Sequence, residues 1–298
     1  MSATIEHDHP LARLATVRTG GSAEHFARAG TSAELAELLA WARAEGHDVN
    51  VVGSGSNLLI ADEGVAGLVV KLAGELQAIE PDGETGLICG AGARLPAVSA
   101  QAARMGLTGI EFGVNIPGTV GGAVRMNANA YGGELARTLQ WVQVVTADGE
   151  QRRTPDELGF AYRRSNLKPG EIVARAAFAL AKADPDAVKA TINEMRRARH
   201  AAQPQGIKTF GSTFKNPDDA KAQGRTAGLL LSEAGCNGLA VGAARFAPKH
   251  ANFIENTGEA TTAQIVELMG EGRRRVHERF GVWLEPEVQV LGPVRFPW

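Results

Sequence analysis

Residues 113–133 limit what this chain can fold into more than any other stretch. They read Gly-Val-Asn-Ile-Pro-Gly-Thr-Val-Gly-Gly-Ala-Val-Arg-Met-Asn-Ala-Asn-Ala-Tyr-Gly-Gly, with six glycines at 113, 118, 121, 122, 132 and 133. Glycine permits positive φ and lets backbone approach a ligand or another segment closely. Pro117-Gly118 marks a turn, and the apolar run from Thr119 to Met126 suits the start of a buried helix. Such a loop points backbone N–H groups at an anion, and a helix N-terminus adds its dipole. A second loop of the same character, Gly53-Ser54-Gly55-Ser56-Asn57, follows a short apolar run at Val49–Val52.

Neither loop is of a common nucleotide type. A Walker loop needs a lysine after its last glycine; Gly113 to Gly118 has the spacing, but Thr119 follows. The Rossmann fingerprint needs a third glycine, and Leu58 stands in that place.

The chain has 298 residues, room for roughly two domains and a sizeable core. A net charge of −2 gives no electrostatic case for nucleic acid or an anionic membrane. No apolar run approaches the about 18 residues of a transmembrane helix. Cys89 and Cys236 are the only cysteines, so neither a disulfide framework nor a cysteine-based zinc site is expected. The polar start, Met1 to Pro10, has no apolar signal region, and a reducing cytosol is the expected compartment. His7-Asp8-His9 lacks a further ligand cluster in sequence, so no metal centre is expected there.

Residues 1–15 read as a loose arm, followed by a tight turn at Arg18-Thr19-Gly20-Gly21. Thr31-Ser32-Ala33-Glu34 reads as a capping box opening a helix to Glu45, with Leu35, Leu38, Leu39 and Ala42 on one face and Gly46 as its stop. Strands are expected at 49–52, 68–72, 75–79, 86–89, 141–147, 172–180, 252–255 and 283–291, with Asp148-Gly149 as a hairpin turn. Helices are expected at 95–105, 186–201, near 225–234, and from 262 to 280, the last boxed by Thr261 and Gln264. Alternation in the final strand puts Leu284, Val288 and Val290 on one face and Glu285, Glu287 and Gln289 on the other.

Ile-Pro-Gly-Thr-Val-Gly-Gly-Ala (116–123), Met-Asn-Ala (126–128) and Ala-Tyr-Gly (130–132) resemble the UDP-N-acetylenolpyruvoylglucosamine reductase family. Its members are flavoenzymes that complete UDP-N-acetylmuramate for peptidoglycan, the cell-wall polymer. Three more motifs follow in family order. Tyr162-Arg163-Arg164-Ser165 resembles the family's Tyr-Arg-x-Ser. Gly211-Ser212-Thr213-Phe214-Lys215-Asn216-Pro217 resembles Gly-Ser-x-Phe-x-Asn-Pro. Leu284-Glu285-Pro286-Glu287-Val288 resembles Leu-x-x-Glu-Val. The likeness covers about residues 16–292.

The resemblance implies an α+β fold: a two-part FAD-binding module of the vanillyl-alcohol-oxidase type and a C-terminal α+β substrate domain. The implied parts are 1–72 completed by 284–298, then 73–202, then 207–283. It implies one bound FAD, held by Gly53, Ser54, Gly55, Ser56, Asn57, Pro117, Gly118, Thr119, Gly121 and Gly122, with NADPH as hydride donor. The small-molecule partner is a nucleotide sugar, with Lys215 and Asn216 near its diphosphate and sugar, and the protein is expected to act as a monomer.

The implied chemistry adds hydride to C3 of an enolpyruvyl group and a proton to C2, with charge building toward the carboxylate in between. Such a reaction needs cationic donors at the carboxylate and a positioned acid. Arg163 matches the cationic role, since a guanidinium stays charged and grips a carboxylate with two donors. Ser212 matches the proton donor, and Glu287 the catalytic carboxylate. Taken alone, Arg163 reads as a surface arginine, Ser212 as a turn residue and Glu287 as an edge-strand charge.

Longer family members carry a loop whose tyrosine covers the substrate diphosphate. Here Tyr131 and Tyr162 are the only tyrosines, and both lie in other motifs, so the chain resembles the shorter variant. Asn115 and Asn129 stand where glycine is common, and asparagine tolerates left-handed φ better than most residues. Ala247-Pro248 replaces a Ser-Glu pair. Two other readings stay open on sequence: a flavoprotein oxidase of the same fold, and a nucleotide-sugar binder that has lost its flavin.

Overall fold

The computed structural model describes residues 3–298. Six α-helices run in chain order: α1 Ser32–Ala44, α2 Leu95–Arg104, α3 Val120–Arg125, α4 Pro185–Ala202, α5 Ala227–Glu233 and α6 Thr262–Phe280. The chain divides into two units, one of Met1–Asp8, Glu24–Ser54 and Ala66–Arg199, the other of His9–Ala23, Gly55–Val65 and His200–Trp298. The α+β class expected from sequence is the class found.

The first unit carries a four-stranded sheet in the order Ile5–Pro10, Ser22–Ala29, Val65–Leu72, Val49–Val51. Its last two strands run parallel, with Val49 opposite Leu68. α1 presents Leu35, Leu38, Leu39 and Ala42 to the core, the face that the helical period marked out. Its N-cap differs in detail from a capping box. Thr31 Oγ1 accepts from Glu34 N–H at 3.1 Å, but the Glu34 carboxylate takes the Gly30 N–H at 2.7 Å, one residue beyond the cap. A five-stranded sheet follows, ordered Gly149–Arg153, Leu139–Thr146, Ile172–Ala179, Gly86–Gly90, Ile79–Asp82, with every pair antiparallel. Leu87, Cys89, Val142, Val144, Ala176 and Phe178 close one continuous core with α1 and α2.

The second unit is built on Thr209–Ser212, Phe253–Asn256, Ala244–Phe246 and Ala240–Val241, again in sheet order, and its core holds Phe210, Phe214, Phe246, Leu230, Leu231, Leu268 and Met269. Here the capping box at α6 is complete: Thr261 Oγ1 accepts from Gln264 N–H and Gln264 Oε1 accepts from Thr261 N–H. Gln289–Leu291 pairs in parallel with Leu58–Ile60.

Three expectations are corrected. The N-terminal arm is ordered: Ile5–Pro10 is an edge strand and Leu11 is fully buried. Its polar composition follows from its place, because an edge strand gains backbone pairing without needing two apolar faces. Residues 75–79 are not a strand; Gly74–Gln77 is a 3₁₀ turn and the strand begins at Ile79. The final strand spans only Gln289–Leu291, and Val290 is 42% exposed rather than core. Leu284 and Val288 are buried as alternation expects, on either side of Pro286; the period slips after Val288, where Leu291 takes the buried place.

α6 contains two glycines with opposite meanings. A Cβ on Gly272 would lie 2.7 Å from Phe246 Cζ and 3.1 Å from Leu231 Cδ2, both fully buried side chains. A Cβ on Gly270 would lie 3.0 Å from Trp298 Cζ3, an aromatic 39% exposed at the chain end that can swing aside. Alanine gains about 1 kcal/mol of helix propensity over glycine at either position, whereas overpacking a core costs about 1–3 kcal/mol. Gly272→Ala is therefore expected to lower the thermal midpoint and Gly270→Ala to hold or raise it. A Gly272→Ala midpoint at or above the parent's would show that the Phe246 ring yields.

Candidate active site

The two glycine loops meet within the first unit at Gly53 and Thr119. A Cβ on Gly53 would fall 2.5 Å from Thr119 Oγ1, so only glycine lets the backbone pass. Ser54 Oγ donates to Pro117 O at 2.7 Å, tying the loops a second time. Lys71 Nζ donates to Gly53 O at 3.0 Å. Burial, with Arg28 nearby, lowers the Lys71 pKa.

The segment after Thr119 uses its backbone differently from the sequence expectation. Val120 N–H donates to Ala93 O at 2.9 Å and Gly121 N–H to Ala91 O at 2.8 Å. These two amides hold the start of α3 against the neighbouring strand end and do not face an anion. At Gly121 the absent Cβ makes room for Ala91, 3.1 Å away. The other half of the 53–57 loop belongs to the second unit, where Gly55 O accepts both the N–H and the hydroxyl of Thr16, at 3.0 and 3.1 Å.

Beyond α3, Asn127 is buried with φ +39°. Its amide nitrogen donates to Glu134 Oε1 at 2.7 Å and Ala161 O at 3.3 Å. Both partners accept only, which fixes the amide orientation. Asn127 Oδ1 then has no protein partner among the described residues. A buried acceptor left so costs about 1–3 kcal/mol unless a ligand satisfies it. With the Gly53–Thr119 approach, it fits a chain shaped to hold a flavin.

Arg163 sits at the tip of a tight turn in the same unit. Ala161 and Arg164 exchange backbone hydrogen bonds at 3.0 and 3.1 Å, and Arg163 between them has φ +56°. For a non-glycine residue this left-handed conformation is uncommon and strained by on the order of 1 kcal/mol. The guanidinium lies 5.3 Å from the centre of the Tyr162 ring and donates to Asn129 O at 3.3 Å. Ser165 Oγ donates to Arg125 O at 2.8 Å, fastening the turn to the end of α3. The side chain is half-buried rather than spread on the surface.

Ser212 and Glu287 belong to the second unit, on adjoining segments. Ser212 ends its strand opposite Phe253. Thr213 O accepts the Glu287 N–H at 2.9 Å, and Lys215 N–H donates to Glu285 O at 2.9 Å. Pro286 pairs with Phe214 between them. Asn252 clamps the turn from the other side, its Oδ1 accepting from Phe214 N–H at 2.9 Å and its Nδ2 donating to Phe214 O at 2.8 Å. Asn57 Nδ2 reaches Glu287 O at 3.3 Å. Ser212 and Glu287 are both half-buried, while Glu285 is exposed.

Of the expected substrate contacts, Lys215 Nζ pairs with the Glu285 carboxylate at 3.3 Å. Asn216 Oδ1 accepts the Ala227 N–H at 3.1 Å and so helps to cap α5. Burial pushes the Cys89 thiol up to about 12 and the Cys236 thiol to about 11. Neither is a nucleophile near neutral pH. The structural roles of Asn127, Asn252 and the Thr16 tether escaped the sequence reading, because their hydrogen bonds join segments that no local pattern connects; for Asn127 the Met-Asn-Ala motif was the signal available.

Two family models match the chain in order: residues 23–155 match the FAD binding domain and residues 203–291 the C-terminal domain of UDP-N-acetylenolpyruvoylglucosamine reductase. UDP-N-acetylenolpyruvoylglucosamine reductase 2 of Symbiobacterium thermophilum is 43% identical over 99% of this chain and 94% of its own length. The reductase of Novosphingobium aromaticivorans is 43% identical over 96% of this chain and 94% of its own. The crystal structure of UDP-N-acetylenolpyruvylglucosamine reductase from Thermus caldophilus superposes with a TM-score of 0.84 at 39% identity, covering 97% of this chain and 99% of that one. With likeness at this level along nearly its whole length, the chain belongs to the UDP-N-acetylenolpyruvoylglucosamine reductase family.

Proposed function

We propose that the chain reduces the enolpyruvyl group of UDP-N-acetylenolpyruvoylglucosamine to give UDP-N-acetylmuramate for peptidoglycan, with Arg163, Ser212 and Glu287 as its catalytic residues. The observation that carries the assignment of residues is the hydrogen bond from Glu287 N–H to Thr213 O, which laces two of the three motif segments side by side. When bound, FAD would supply the hydride-transfer chemistry that links NADPH to the enolpyruvyl double bond.

Gly53, Ser54, Gly55, Ser56 and Asn57, with Pro117, Gly118, Thr119, Gly121 and Gly122, line the cofactor's place. Gly121 acts there by its small size, its amide being committed to Ala91. Arg163 grips the substrate carboxylate where charge develops, Ser212 delivers the proton to C2, and Glu287 holds the polar network around that proton. Lys215 turns from Glu285 to the diphosphate. A salt bridge whose carboxylate side chain is 75% exposed is worth about 0–1 kcal/mol, so the exchange costs little. Asn216 caps α5 beside the sugar.

In this reading residues 1–72 with 284–298 and residues 73–202 form the flavin module and 207–283 the substrate domain. The parallel pairing of Gln289–Leu291 with Leu58–Ile60 supports the return of the C-terminal strand. We place the protein in the cytoplasm as a monomer that binds no nucleic acid. Two buried free thiols suit a reducing compartment, and no helix among the described residues is long and apolar enough to cross a membrane.

Four variants test this. Gly53→Ala should copurify with little flavin, because its methyl collides with Thr119 Oγ1, and Gly53→Ala/Thr119→Ala should regain it; the visible-to-ultraviolet absorbance ratio is the readout. If the single variant keeps a full complement of flavin, the loop contact is not part of the cofactor site. Arg163→Gly relieves the left-handed strain and removes the charge together. It should match or exceed the parent in thermal midpoint yet lose on the order of 10²–10³ in enolpyruvyl-dependent reoxidation. A loss of stability without a loss of rate would make Arg163 a turn residue. Ser212→Ala should reduce normally with NADPH and then reoxidise roughly 10²–10⁴-fold more slowly with substrate in stopped flow. Reoxidation near the parent rate would move the proton donor elsewhere.

A further inference from the structure

The first unit brings together three histidines and a carboxylate that the reaction does not use. Glu24, His25 and His47 each place a ligand atom within 4.8 Å of the others. His7 joins them from the edge strand, its Nδ1 3.2 Å from His25 Nδ1. The rings crowd together, with centroids 4.9 Å apart for His7 and His25 and 4.5 Å for His25 and His47. We propose that Glu24, His25 and His47, with His7 as the fourth ligand, form a surface site for a divalent transition metal, zinc being the best fit.

Imidazole nitrogens with one carboxylate suit zinc, which takes four such ligands in a tetrahedron at bonds of about 2.0–2.2 Å. Ligand atoms in a tetrahedron of that size stand roughly 3.4 Å apart. The His7–His25 separation already meets this; His25 now presents Nδ1 to His7 and Nε2 to Glu24 Oε1 at 3.8 Å, so binding requires Glu24 and His47 to turn toward the nitrogen that His7 faces. Two facing Nδ1 atoms at hydrogen-bond distance share one proton, and a metal ion replaces that proton by binding both lone pairs.

The ligands stand on fixed backbone. Glu24 and His25 are in the Ser22–Ala29 strand. His47 follows the end of α1, its N–H donating to Ala42 O at 2.7 Å, and leads directly into a strand paired with Leu68. Glu24 Oε2 accepts the Gly67 N–H at 2.7 Å, the kind of outer contact that orients a metal-binding carboxylate. That hydrogen bond first, then His25, His47 and His7, holds the Glu24 carboxyl below the usual range. Trp41 lies 5.3 Å from His25 and 5.4 Å from His47 by ring centroids and forms an apolar wall beside the site. Bound metal would pin the N-terminal edge strand to its neighbour and to the end of α1.

The test uses the full chain without a histidine tag. Calorimetric titration with zinc should give one ion per chain. Cobalt should give the visible bands of tetrahedral coordination, and copper should quench Trp41 fluorescence, a signal lost in Trp41→Phe. His25→Ala and His47→Ala should each weaken zinc at least tenfold while keeping flavin content and turnover, and His200→Ala should leave it unchanged. Zinc should raise the thermal midpoint of the parent and not of His25→Ala/His47→Ala. A parent chain that takes up neither zinc nor cobalt overturns the proposal, as does uptake that the double variant leaves intact.

Discussion

The second unit depends on a short ladder of backbone hydrogen bonds in which residues 213–215 and 285–287 exchange partners across Pro286. Backbone bonds fix position without regard to side-chain type, so Ser212 and Glu287 project from a frame that their own chemistry does not have to hold. Asn252 strengthens that frame by offering its amide as a stand-in for a strand, accepting and donating to Phe214 at once. The first unit uses glycine for the same purpose. At Gly53 the missing side chain lets the backbone rest against the Thr119 side chain, and at Gly121 it lets α3 rest against Ala91.

Strain and unmet hydrogen-bonding capacity collect at two of the motif segments. Arg163 holds a left-handed φ, and Asn127 buries an acceptor that no group among the described residues answers. Stable folds tolerate such features when surrounding contacts over-determine them. Ala161, Arg164 and Ser165 supply that support on one side and the end of α3 on the other.

Much of this was legible in the sequence, and the misses share a cause. The buried face of α1 and the capping box of α6 follow from local pattern, which needs no knowledge of distant partners, while the α+β class came from the family resemblance. The N-terminal strand was missed because its stability comes from pairing with Ser22–Ala29 and not from its own composition. Alternation assigned Val290 to the core, but the period slips by one residue after Val288, and Leu291 is buried in its place. Motif resemblance picked out Glu287 over Glu285, and the structure has the first half-buried and the second exposed. The candidate site residues were thus named by family pattern alone. The contacts that build the site, from Thr16 to Gly55 or from Asn57 to Glu287, were not legible, since nothing in a linear chain marks a partner 39 or 230 residues away.

The two cysteines carry a practical consequence. Cys89 and Cys236 are both fully buried, and both thiols are held far toward the protonated form. Maleimide reagents attack thiolates that solvent can reach, so the native chain offers a silent background to them. Cysteines introduced at chosen exposed positions can therefore carry fluorophores or spin labels without first removing the natural ones. Distances between the two units could then be followed through a catalytic cycle in an otherwise unaltered protein.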